Sequence, residues 1–587
     1  MIGISLLDLL IIFVSLLVTV SIPLYFKNKE NSLREYFQSS GRLSWFVSGT
    51  AMVATTFSAD TPLAVTELVA TNGISGNWLW WYGSIGSIIT VYFFAPLWKK
   101  SGAMTDVELV KLRYSGKGVQ YLRIFKSVYL GFFINILILS WVNLAMYKIS
   151  RVLLPSVPPE IVVSILFLLA FAYTSLMGLS GISYADTFQF FFAMASCVAL
   201  AFFVLNLPEI GGISGLKKQL NPEVFNFMPD FSNPKSNNLS IPSFLTFVLI
   251  VWWTSWYPGS EPGGGGYIAQ RIMASKDVKS SILSTLWFTI AHYFVRPWPW
   301  IIVGLCSLVL FPDLVADRKG EGYIMVMHQS LPSGLLGLMI ASFMAAYLST
   351  VATHLNWGTS YLINDFYKPY VVENKPDNYY LFVSIFFQLV VMLVSLIITF
   401  YFIKTISGVW LFLLECGAGT GFVLIFRWFW WRLNVWSEFA AYISPIVFYS
   451  ISKFYLGLLF PYSLLFTAFC TIAVTLVVTM ITPETNIEVL IRFYKTVLPP
   501  GKLWRNWAIR NEINPVSGEG SIGRLVLLTF AGVFMVFSGL FSVGHLIFQN
   551  YQLMGVFMVL FILSMGITIY YFPEVHFEHI VEKNQEK

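Results

Sequence analysis

Apolar runs of about twenty residues recur from one end of the chain to the other, separated by short polar stretches. Each is long enough to cross the hydrocarbon core of a bilayer as a helix. The pattern predicts about fifteen transmembrane helices. The first eight lie near residues 4–26, 45–70, 77–98, 120–150, 160–179, 183–206, 242–268 and 281–311. The rest lie near 334–363, 379–403, 406–431, 437–459, 462–482, 522–547 and 552–573. No soluble domain interrupts the series, so the fold expected is an all-α polytopic membrane protein.

Two of these runs are broken from within. "AMVATTFSADTPLAV" (51–65) carries Asp60 and Pro62 in mid-span, and "WTSWYPGSEPGGGGYIAQR" (253–271) carries two prolines, five glycines and a glutamate. Proline costs about 3 kcal/mol and glycine about 1 kcal/mol relative to alanine inside a helix. Lipid offers no partner to the freed backbone groups, so such a break persists only where protein or a wet cavity surrounds it. Four intact runs separate the two breaks, so each heads a group of five. That arrangement predicts a five-plus-five inverted repeat with a binding site between the broken helices. In this reading Pro258, Pro262 and the glycines from Gly263 hold the second break open, and its freed groups line a solute cavity. The plainer alternative is a pair of kinked or re-entrant helices, but paired interruptions, each with an acidic residue, favour the repeat.

Composition agrees with a membrane span count of this size. The 587 residues are 57% hydrophobic and 11% charged, against about a quarter charged in soluble proteins. Lys and Arg gather in 27–44, 99–119, 269–280 and 483–521. The positive-inside bias then sets the N-terminus outside and the C-terminus in the cytoplasm, in a plasma (inner) membrane. The same bias accounts for the net charge of +6 without a nucleic-acid partner. The first run lacks a basic n-region and a cleavage site, so it reads as a retained helix. Cys197, Cys306, Cys416 and Cys470 are far apart and show no metal or disulfide spacing.

Four segments carry a family likeness. "ATTFSADTPLAVTELVATNGISGNWLWW" (54–81), "GISYADTFQFFF" (181–192) and "MAAYLSTVATHLNWGTSYLINDFYKPY" (344–370), with "YIAQR" (267–271) between the last two, resemble core helices one, five, eight and six of the sodium:solute symporter family, in the family's order. The likeness extends over roughly residues 5–480. It implies a leucine-transporter-type fold and sodium-driven uptake of a small organic solute by alternating access, with Na+ as coupling ion and no organic cofactor. The expected partition is a leading helix and loop (1–44), a ten-helix transport core (45–431), and accessory helices with a short tail (432–587). Solute, sodium and membrane lipid are the expected partners.

In the eighth core helix Ser342, Ala346, Ser349, Thr353 and Asn356 recur at helical spacing and share one face. Such faces also serve close helix packing. Sodium is a hard cation and takes oxygen ligands. Matching positions nominate Ala54 and Phe57 on the first broken helix, with Ala346, Ser349 and Thr350 opposite. In the family an aspartate at Asp186 supports ion binding, in some members at a second sodium site that here includes Thr353. Ala352 stands where a further hydroxyl is expected, so one ion or two both stay open. The alternative for Asp186 is a helix cap or an ion pair with a nearby arginine.

For the solute, Asp60, Thr61, Trp253, Glu261, Gly264 and Tyr267 are nominated beside the two breaks. "EPGGGG" replaces the long polar side chains of sugar-transporting relatives, which argues against a simple sugar assignment. Few Lys or Arg residues lie at mid-membrane depth, Arg296 being one candidate, so a strongly anionic solute is not favoured. His292, His328 and His354 are scattered and read as packing residues. No catalytic constellation shares a neighbourhood, so no enzyme is expected. The remaining alternative is a sensory module of the same fold that binds solute without moving it, though the tail after the last span is too short for a kinase.

Overall fold

The computed structural model describes residues 4–25, 32–39, 42–176, 179–233, 238–256, 263, 265–514 and 522–572. Helix dominates and no strand occurs among these residues; an isolated bridge joins Leu43 to Ser275. Eight helices among the described residues are by themselves long and apolar enough to cross a membrane, or nine if the bent pair Ile406–Cys416 and Thr420–Phe429 is one span. The protein is an integral, multi-pass membrane protein. Its outer helices still expose apolar side chains, among them Phe382, Tyr401 and Phe454 at 71%, 79% and 86%, as lipid-facing surfaces do.

Both predicted breaks are present. The first broken helix runs Trp45–Thr56, leaves helical geometry at Phe57, and resumes as Asp60–Asn72. Phe57 takes φ −96° and ψ 69°, and its N–H reaches back to the carbonyls of Val53 and Ala54. Its ring is pinned in a stack on Trp300, 5.2 Å between centroids. The second broken helix starts at Ile241, ends its first half at Thr254 and resumes at Gly266–Ala274. Glu261 and Gly264, both nominated from sequence, lie outside the described residues.

A third interruption was not anticipated within 406–431. The chain bends by 52° between Ile406–Cys416 and Thr420–Phe429. Gly419 holds φ +99° there, and its N–H donates to the carbonyl of Thr254 at 2.8 Å. A Cβ on Gly417 would stand 2.8 Å from the Trp256 carbonyl. The bend therefore seats on the second break and satisfies one of its orphan carbonyls. Between 483 and 521, short helices Ile487–Val497 and Lys502–Arg510 bury Phe493, Tyr494, Trp504 and Trp507 against the bundle.

Long helices frame the breaks. Leu179–Leu205 packs between the first half of the broken helix and the eighth core helix, Leu335–Tyr361; Val278–Leu310 lies against both halves of the first broken helix. The leading helix Leu6–Tyr25 packs on the eighth core helix. There Asp8 accepts from the N–H groups of Gly334 and Gly337, both at 2.7 Å, and so caps that helix from outside its own sequence.

Candidate functional site

The first break opens onto a central cavity of about 70 Å³. Thr55, Thr56, Ser58, Asp60 and Thr61 line it from the break, with Trp80 and Tyr82 on one side and Trp141 on another. Tyr267 enters from the second broken helix, Thr350 and His354 from the eighth core helix, and His292, Tyr293 and Arg296 from Val278–Leu310. Of the residues nominated for solute, Asp60, Thr61 and Tyr267 are therefore in this wall. Trp253 is not: its indole Nε1 donates to Leu249 O of its own helix at 2.8 Å. Gly263 also lies elsewhere, its carbonyl taken by the Trp98 indole at 2.5 Å.

Of the nominated sodium residues, Thr350 meets the first break. Thr350 Oγ1 donates toward the Thr55 carbonyl at 3.0 Å and lies 3.1 Å from the Ala346 carbonyl. Ser349 donates to Asp186 Oδ1 at 2.5 Å. Ala54, Phe57, Ala346, Ser349 and Thr350 are all at most 3% exposed. With the hydroxyl protons directed to Asp186 and Thr55, the oxygen lone pairs are the part left to face a cation.

Asp186 is also half of an ion pair. Arg271 Nη2 lies 3.1 Å from Asp186 Oδ2 and 3.1 Å from Thr353 Oγ1, and Thr55 Oγ1 lies 3.2 Å from Thr353 Oγ1. Both charged side chains are fully buried. Arg271, expected in a cytoplasmic stretch, instead points into the bundle from Gly266–Ala274. Its guanidinium holds the hydroxyl of Thr353, the residue nominated for a second ion.

Arg296 makes the other unexpected contact. Its Nη1 donates to the Val53 carbonyl and its Nη2 to the Thr56 carbonyl, both at 3.1 Å. These carbonyls belong to the C-terminal end of the half-helix Trp45–Thr56, where the helix dipole is negative. Trp300 supports the guanidinium, 5.1 Å from its carbon to the ring centroid. His292 Nε2 lies 3.4 Å from Arg296 Nη2; guanidinium has no acceptor, so the imidazole nitrogen accepts. The sequence reading takes His292 and His354 as packing residues and does not single out Tyr293. A signal was available: Thr285, Thr289, His292 and Arg296 trace one polar face at helical spacing through an apolar span.

Polar links close the bundle at both ends. At one end Ser407 donates to Glu67, Lys319 reaches the Ala70 carbonyl at 2.9 Å, and Lys148 reaches the Asp317 carbonyl at 3.0 Å. At the other, Asp365 accepts from Arg123 at 2.8 Å and Thr105 at 2.5 Å, while Gln270 bonds Phe37 O and Asn356 at 2.8 and 3.1 Å. Ligand pockets usually run from about 300 Å³ upward, so side chains must move for a solute to load.

The description of the sodium:solute symporter family matches residues 36–444. Among relatives, the sodium/glucose cotransporter of Vibrio parahaemolyticus is 24% identical over 402 residues, 64% of this chain and 71% of that one. The sodium/glucose cotransporter 2 of Rattus norvegicus is 23% identical over 61% of this chain and 58% of its own. The human sodium/myo-inositol cotransporter 2 is 22% identical over 63% of this chain and 57% of its own. The match thus spans less than two thirds of the mammalian proteins. A solved substrate-bound, outward-open Na+-coupled sialic acid symporter shares the fold, with a TM-score of 0.67 at 17% identity over 82% of this chain and 99% of that one.

Proposed function

The chain belongs to the sodium:solute symporter family and is a sodium-coupled solute transporter rather than an enzyme; on that premise we propose that it takes up one small polar organic solute through the cavity at the first break. Sodium is held by the carbonyls of Ala54, Phe57 and Ala346 and the hydroxyls of Ser349 and Thr350. The observation that carries this assignment is the Thr350 hydroxyl, which touches the backbone of the first break at Thr55 and lines the solute cavity at once. An ion there ties the eighth core helix to the break whose residues meet the solute, so each ligand strengthens binding of the other. Asp60, Thr61 and Tyr267 contact the solute.

Residues 45–431 form the transport core. With the N-terminus outside, the Glu67–Ser407 links form the outer closure and the Asp365–Arg123 links the inner one. Alternating access breaks one set while the other holds. One sodium crossing 100 mV releases about 2.3 kcal/mol, and a tenfold gradient adds about 1.4 kcal/mol. Together these concentrate a neutral solute up to roughly 500-fold. Arg271 beside Asp186 and Thr353 favours a single sodium, since it already supplies one positive charge there.

The test is uptake into proteoliposomes with an imposed sodium gradient, screening sugars, polyols, amino acids and organic acids. Accumulation that follows sodium and collapses when potassium replaces it supports the reading. Binding of a solute without sodium-dependent accumulation supports the sensory alternative instead.

A further inference from the structure

Two opposite charges face the central cavity without pairing with each other. Asp60 is 3% exposed and Arg296 is fully buried. Both line the cavity at the first break. Buried ions are expensive in a membrane and normally meet an opposite charge. Here the broken helix holds them apart. Arg296 is docked on the Val53 and Thr56 carbonyls, the negative end of the first half-helix. Asp60 is the first residue of the second half-helix, Asp60–Asn72, where the dipole is positive. Each charge is stabilised by its own helix end, and the break is the spacer between them.

Neither group is fully used. Asp60 sits beside Ser58 and Trp141, yet its Oδ1 has no hydrogen-bond partner among the described residues. The same is true of Arg296 Nε and of His292 Nδ1. With His292 Nε2 accepting from Arg296, its Nδ1 carries the proton and is a second donor. The cavity thus offers donors at one end and a carboxylate oxygen at the other, between aromatic walls that include Trp80 and Tyr293, themselves stacked at 6.1 Å.

We propose that this cavity selects a compact zwitterion, an amino-acid-type solute whose carboxylate meets Arg296 and His292 and whose ammonium meets Asp60. The inference rests on the symport reading above and narrows its solute class. A neutral polyol would leave both ions to hydroxyl groups alone. A simple carboxylate would face Asp60, and a simple amine would face Arg296, each a like-charge contact in a low-dielectric site. A zwitterion matches both ends and carries no net charge, so it adds none to the sodium that moves with it.

The experiment uses the purified full chain in proteoliposomes and in a thermal-shift format. The twenty protein amino acids are screened singly in sodium and in potassium, beside D-glucose and myo-inositol. For the amino acid with the largest sodium-dependent response, its decarboxylated amine and its deaminated acid are compared. The expected result is sodium-dependent uptake of at least one amino acid, with both half-molecules at least 100-fold weaker on the wild-type protein. Asp60→Asn should weaken the amino acid at least tenfold while leaving the deaminated acid unchanged or tighter. A merely structural role for Asp60 would weaken both alike and overturn the inference. So would uptake of glucose or inositol with no amino-acid response, or half-molecules that bind as well as the whole. The half-molecule comparison needs no variant, so poor folding of Asp60→Asn leaves the inference testable. Sodium alone is measured separately by thermal shift: loss of that response as well defeats the symport reading, whereas its presence without an amino-acid response defeats only this inference.

Discussion

Asp186 binds two partners at once: Ser349, whose hydroxyl donates to Oδ1 at 2.5 Å, and Arg271, whose Nη2 reaches Oδ2 at 3.1 Å. The first partner is a proposed sodium ligand and the second is a buried cation from the second broken helix. The carboxylate is therefore shared between ion binding and the joint that fixes Gly266–Ala274 against the eighth core helix.

Asp186→Asn keeps an acceptor for Ser349 but leaves Arg271 buried without its counter-charge. Breaking a buried pair in this way costs about 3–5 kcal/mol. We expect a lower melting temperature as well as a weaker sodium dependence of uptake. Asp186→Asn combined with Arg271→Gln should recover most of the stability and little of the sodium affinity. Wild-type sodium dependence in the single variant would reduce Asp186 to a structural residue.

Thr350→Ala removes a hydroxyl that bridges the eighth helix to Thr55 O. Losing the hydrogen bond alone costs roughly 1 kcal/mol of stability. Losing a cation ligand as well should raise the sodium concentration for half-maximal uptake by about tenfold, equivalent to about 1.4 kcal/mol. Thr350→Ser should restore it, because serine keeps the oxygen. A Thr350→Ala protein with unaltered sodium activation would remove this residue from the ion site.

Gly263 tests which glycine of the second break matters for what. It holds φ +80°, and an added Cβ would sit 3.1 Å from the Leu424 carbonyl. Gly263→Ala should lower stability by about 1–3 kcal/mol through backbone strain. Solute affinity should stay within twofold of wild type, since the residue is outside the cavity wall. A selective loss of solute affinity without a change in melting temperature would contradict the geometry.

The sequence made the two breaks legible because proline and glycine clusters disfavour helix locally, whatever surrounds them. Thr350 and Ser349 were legible by family likeness, and Ser349 also by its place on the small and hydroxyl face of the eighth core helix. Three features were not. The pairing of Asp186 with Arg271 joins residues 85 positions apart, and no local pattern announces it. Arg296 reaches carbonyls 240 and 243 positions away, so its charge read as a lone mid-membrane cation. Trp253 is a solute candidate by its place beside the second break, but helical geometry turns its indole back onto Leu249. For the first two the deciding contact is tertiary; for Trp253 it lies within one turn of its own helix.

The bend at Gly417–Gly419 carries the last prediction. "ECGAGTG" (415–421) holds three glycines inside an apolar run, yet it reads as one continuous span when only hydropathy is followed. The structure uses these glycines to dock one interrupted helix on another. Gly419 adopts φ +99°, and its Cβ would stand 2.4 Å from Thr471 Cβ and Cγ2. Gly419→Ala therefore meets backbone strain of about 1–3 kcal/mol and overpacking of about 1–3 kcal/mol together. Displacing the bend should also loosen the hydrogen bond from Gly419 to the Thr254 carbonyl, an end of the second break that would otherwise lack a partner. We expect a clear fall in melting temperature and slower uptake, with sodium binding in the absence of solute less affected, because the proposed ion ligands lie on other helices. Gly419→Ala combined with Thr471→Gly should recover the packing part of the loss and leave the strain. A Gly419→Ala protein that melts and transports like wild type would show that the bend tolerates a side chain and does not brace the second break.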